Sequence, residues 1–93
     1  MDTLKLKKAV EIDGKMITEI EYDLDSVTGK DIEAITKELQ RDQYVVLAQE
    51  TDPILHAHIF AISAGIAYSD MKLLGGKDYS LATMRVRDFF YME

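Results

Sequence analysis

From position 4 to position 24 the chain alternates with period two. Leu4, Leu6, Val10 and Ile12 share one face, with Lys8 among them, and Met16, Thr18, Ile20, Tyr22 and Leu24 share a face on the next run. Alternation of this kind predicts strands, and Asp13-Gly14 between the runs predicts a tight turn, hence an antiparallel β-hairpin over about residues 4–24. A two-residue turn at Asp13-Gly14 sets Val10 against Ile17 and Leu6 against Glu21, which mixes apolar and acidic residues on one face. A three-residue loop, Ile12-Asp13-Gly14, pairs Val10 with Met16, Leu6 with Ile20 and Leu4 with Tyr22. It also pairs Lys5 with Glu21, Lys7 with Glu19 and Glu11 with Lys15 on the outer face. The charge pairing favours the three-residue loop, with Ile12 in the turn.

After Leu24 the period lengthens. Thr28 followed by Asp31 is close to a capping box, and Ile32, Ile35 and Leu39 recur at helical spacing, which predicts a helix over 29–41. Asp52-Pro53 is a second start signal, and Gly65 a stop, for a helix over 53–64. Ile54, Leu55, Ile59, Phe60, Ala61 and Ile62 cover more than one stripe of it, the mark of a central helix buried on several sides. Ser69-Asp70 opens a short helical turn over 70–74, stopped by Gly75-Gly76. Asp78 then caps a last helix over 79–91, with Tyr79, Ala82, Val86, Phe89 and Phe90 on its core face. Residues 44–48, "YVVLA", read as a strand by propensity or as an extension of the first helix. The fold class is α+β: one domain over 1–93, an N-terminal hairpin followed by a small bundle of three to four helices.

Composition narrows the function. The net charge of -6 argues against a nucleic-acid binder, which needs Lys and Arg against phosphates. The longest mostly apolar stretch, "ILHAHIFAISAGIAY", carries two histidines and is shorter than the roughly 20 residues of a membrane helix. The opening "MDTLKLKKAV" lacks the apolar core of a signal peptide. There is no cysteine, so there is neither a disulfide nor a thiolate site.

Three stretches invite a chemical reading. "YDLDSVTGKDI" groups Asp23, Asp25 and Asp31, but counting from Asp23 puts Val27, Thr28 and Ala34 where a calcium loop needs a ligand, a glycine and a glutamate. It reads better as a strand end and helix cap. His56 and His58 are two apart on a helix, a spacing that does not share a face, and no third ligand completes them. "LLGGKDYS" lacks the spacing of a phosphate-binding loop. No nucleophile set is present, so the sequence calls for no enzyme activity, no metal and no cofactor. A second stripe on the last helix, Leu81, Met84, Asp88 and Tyr91, with Met71 nearby in sequence, fits either burial in the bundle or an adaptable partner surface.

The order of these features resembles a known family. An opening "LKKAVEIDGKMITEIEYDL" is followed by "SVTGKDI" leading a helix, then by "HAHIFAISAGIAYSDMKLLGGKDYSLATMRVRDFF". The last piece runs from an apolar helix ending in small residues (Ala61 to Gly65) through a short turn (Asp70 to Leu74) and the pair Asp78-Tyr79 to a helix ending in Val86, Phe89 and Phe90. Together they resemble the short tail assembly chaperones of long-tailed bacteriophages and prophages, over nearly the whole chain except 41–52. The resemblance implies a non-enzymatic protein of the host bacterial cytoplasm. It would bind the aggregation-prone tape measure protein before the tail tube forms around it, help recruit tail tube subunits, and be absent from the finished virion. This chain then looks like the short product where a frameshifted longer form also exists. Contacts to the partner are expected from Met71, Leu81, Met84 and Tyr91. The alternative is a small structural or adaptor protein of the tail or capsid that stays in the virion. A regulatory, antitoxin-like protein fits less well, because its DNA-facing strand would be basic and the second strand here is acidic.

Overall fold

The computed structural model describes residues 1–92. Strands β1 (Asp2–Ile12) and β2 (Lys15–Tyr22) form an antiparallel hairpin. A 3-10 turn (Leu24–Ser26) leads into α1 (Gly29–Arg41), α2 (Pro53–Ala64), α3 (Tyr68–Met71) and α4 (Gly76–Tyr91). The class is α+β, a hairpin followed by four helices.

The hairpin corrects the three-residue loop. Ile12 pairs with Lys15 across a two-residue turn, and Ile12 is a buried strand residue, not part of the turn. Asp13 and Gly14 both have positive φ, 53° and 79°, the backbone of a turn whose twist matches that of the strands it joins. Val10 then pairs with Ile17 and Glu11 with Met16, but farther out Leu4 pairs with Ile20, Lys5 with Glu19 and Asp2 with Tyr22. Residues 6–9 of β1 therefore stand opposite Thr18 alone, a pronounced bulge. The bulge resolves the conflict that disfavoured the two-residue turn: it moves Glu21 away from Leu6 and brings Leu4 onto Ile20, both buried.

The bulge has a partner outside the hairpin. The Asp78 carboxylate accepts from Lys7 N–H at 2.9 and 3.1 Å and from Lys8 N–H at 3.1 Å. Asp78 was expected to cap the last helix. It lies instead inside the first turn of α4, and its side chain serves β1. Gly75 and Gly76, expected as helix stops, are the cap and the first residue of that helix. The short turn also starts earlier than 70–74: α3 spans Tyr68–Met71, with the Asp70 carboxylate accepting from Ala67 N–H at 3.3 Å.

The other helix signals act as read. Thr28 and Asp31 complete a reciprocal capping box at α1, and Asp52 accepts from Leu55 N–H at 2.9 Å with Pro53 as the first residue of α2. Gly65 ends α2 in the left-handed region, φ 69°. Helix α2 packs against α1, α3, α4 and β2. Phe60 at its centre is fully buried, with its ring 4.9 Å from that of Tyr22. The β2 end is tied down by Asp23 N–H to the Ser63 carbonyl (2.9 Å) and by Arg85 Nη1 to the Tyr22 hydroxyl (2.9 Å). Residues 44–48 are neither strand nor helix. They belong to a loop that Tyr44 pins, its N–H to the Leu39 carbonyl (2.9 Å) and its hydroxyl to Asp52 Oδ2 (2.8 Å).

Candidate interaction surface

The four residues expected to contact a partner fall into different environments. Met71 is completely buried and belongs to the core, so it offers nothing to a partner. Its flexible thioether fills space in a small bundle instead. Tyr91 is half-buried and stacks on His56, with ring centroids 5.5 Å apart. Leu81 is half-buried, and Met84, at 52% exposure, lies open beside it. Leu81 and Met84 do come together, lining a shallow depression with Lys7 and Lys77.

A further apolar surface lies at residues that helical spacing assigns to the core. Phe89 and Phe90 follow Val86 at i+3 and i+4, and Val86 is fully buried, yet the two phenylalanines are 48% and 38% exposed. The hydrogen bonds of α4 to the hairpin stop short of both rings. Asp78 meets β1 at Lys7 and Lys8, and Arg85 meets Tyr22, the last residue of β2. Phe89 lies one turn beyond Arg85. The core face of α4 thus continues past its last hydrogen bond to the hairpin, where α2 is the neighbour that remains, with His56 stacked on Tyr91. Phe89 and Phe90 pack edge to face at 4.8 Å, Phe90 lies 6.3 Å from Tyr91, and Met92 follows at 52% exposure. An aromatic and methionine surface of this kind matches the composition of protein-binding patches.

The histidines have structural environments. His56 Nε2 lies 2.7 Å from the Gln49 carbonyl, and since a carbonyl only accepts, Nε2 carries the proton. His58 stacks on Tyr68, with centroids 3.7 Å apart and planes 9° apart, and Lys72 Nζ lies 5.3 Å from the same ring. Burial pushes the His58 pKa below its ordinary 6.5, with Lys72 acting the same way and the Glu38 and Asp42 carboxylates opposing. Burial likewise raises the Tyr79 and Tyr91 phenols. Tyr44 is raised chiefly by its hydrogen bond to Asp52. Among the described residues, no three His, Asp or Glu side chains gather as metal ligands, and no helix is long and apolar enough to cross a membrane.

No family model, curated protein or solved structure matches the chain.

Proposed function

We propose that this protein is a phage tail assembly chaperone that covers apolar helical segments of the tape measure protein until the tail tube encloses them. The order of hairpin, capped helix, apolar helix and phenylalanine-ended helix supports the family reading. The observation that carries the binding mode is the exposure of Phe89 and Phe90 at the C-terminal end of α4, with Met92 following the helix and Met84 exposed on a separate stripe of it. A tape measure chain presents long amphipathic stripes, and an aromatic and methionine surface on a rigid helix adapts to many such stripes in turn. Met71 leaves the proposed contact set, Leu81, Met84 and Tyr91 remain, and Phe89, Phe90 and Met92 join it. Tail tube protein is a second proposed partner. The proposed setting is the host bacterial cytoplasm, and the role requires no catalysis.

Particle composition tests this role. A chaperone is bound to the tape measure protein in infected or induced cells and is missing from purified virions. Stoichiometric presence in the particle would replace this reading with that of a retained structural or adaptor protein.

A further inference from the structure

A second apolar feature lies on the loop between α1 and α2. The loop over residues 42–51 presents Leu47 at 92% exposure and Val45 at 71%. Beside it is a groove of about 290 Å³ lined by Ile32, Thr36, Leu39, Tyr44, Val46 and Leu55. Its floor, Leu39 and Leu55, belongs to the buried core. The loop is anchored on both sides of Leu47: Tyr44 is held by Leu39 and Asp52, and the Gln49 carbonyl is held by His56. A leucine on an anchored loop is presented outward by the fold, and that exposure is unfavourable unless something covers it.

We propose that this side of the molecule is a self-association surface, in which Leu47 of one copy seats in the groove of a second copy and the second copy's Leu47 seats in the groove of the first. Three observations select a second copy as occupant. An apolar knob and an apolar hole lie next to each other on one surface, which is what a two-fold contact requires, because each copy must present both. The volume suits one or two inserted side chains; a bound amphipathic helix sets anchors over two turns and needs a longer trough. The exposed charges around it are also mixed: Lys37 and Arg41 stand among Glu33, Asp42 and Glu50. A chain of net charge -6 repels its own copies. That repulsion is weaker here than along the acidic run Glu19, Glu21, Asp23 and Asp25. The contact uses none of Met84, Phe89 and Phe90, although its anchor His56 stacks on Tyr91, and it does not depend on the tail-assembly role. Its small size makes it a weak dimer.

Sedimentation equilibrium of the full chain up to about 1 mM tests it, in the range where small interfaces associate. The wild type is expected to dimerise as concentration rises. Leu47→Glu removes the knob and Thr36→Arg fills the groove. Both positions are exposed, so the fold should persist, as circular dichroism will check. Each variant alone should weaken association by at least about 10-fold, the loss expected when a central interface contact is removed. An equimolar mixture of the two should recover part of it, since Leu47→Glu keeps a groove and Thr36→Arg keeps a leucine. A wild type that stays monomeric, a dimer that survives both variants, or a mixture that does not re-associate would each overturn the proposal.

Discussion

Asp78 holds Lys7 across 71 positions of sequence, with both carboxylate oxygens within 3.1 Å of one backbone N–H and the Lys8 N–H shared by Oδ2. The bulge turns two backbone donors away from β2, and the first turn of α4 supplies their acceptor. Asp78→Ala leaves those donors unpaired and should lower unfolding free energy by about 2–4 kcal/mol. Asp78→Asn keeps one acceptor oxygen and should lose roughly half of that. Urea unfolding of the three proteins reads the difference. A loss under about 1 kcal/mol for Asp78→Ala would mean that the clamp contributes no more than an ordinary neutral hydrogen bond.

The turn offers an independent check on the register. Gly14 has φ 79° with open space where a Cβ would go, so Gly14→Ala meets only backbone strain. It should destabilise by about 1–2 kcal/mol, the left-handed penalty for a residue with a Cβ. Asp13→Gly should be neutral or mildly stabilising, because Asp13 also has positive φ. Thermal unfolding of both variants distinguishes this turn from a three-residue loop, in which Gly14 alone would be left-handed.

Phenylalanine truncation should separate the core from the uncovered surface. Phe60→Ala removes a fully buried ring and should cost about 3–5 kcal/mol. Phe89→Ala should change stability by less than about 1 kcal/mol, since half its surface is already in water and surface changes are small. Equal losses in denaturant unfolding would place Phe89 in the core.

His58 gives the protein a pH dependence of known sign. Its folded pKa lies below 6.5, so the unfolded chain binds the extra proton first as pH falls. This contribution to stability is complete above pH 6.5 and is lost as pH drops from 6.5 toward the folded value. Melting temperature should therefore fall between pH 7 and pH 5. His58→Phe, which keeps a ring on Tyr68, should flatten that part of the profile. An unchanged slope in the variant would assign the loss to the carboxylates.

The features legible in the sequence are those written within a few residues of one another. Thr28 with Asp31, Asp52 with Pro53, and Gly65 fix the limits of α1 and α2, because capping is a local bond. The hairpin is legible from alternation, but its register is not: the bulge at residues 6–9 depends on Asp78, which no local pattern links to β1. The same limit affected α4. Helical spacing correctly puts Phe89 and Phe90 on the side of Val86, but how far the neighbouring elements shield that side is a property of the assembled fold. Met71 and Met84 look alike in sequence. One is enclosed because α3 packs on α2 and carries Met71 into the core, while the other stands open on α4. Residues 44–48 have strand-like composition but no strand to pair with, and the Tyr44 anchors hold them as a loop.

The most direct test of the central proposal is co-purification with a phage tape measure protein. The wild-type chain should be retained on the immobilised partner. The double variant Met84→Asp, Phe89→Asp should lose that retention by at least about 10-fold while keeping its circular dichroism spectrum and melting cooperativity, because both side chains are exposed in the free protein. Undiminished retention of a folded double variant would contradict the assignment of the α4 surface, and no retention of the wild type would contradict the chaperone role itself.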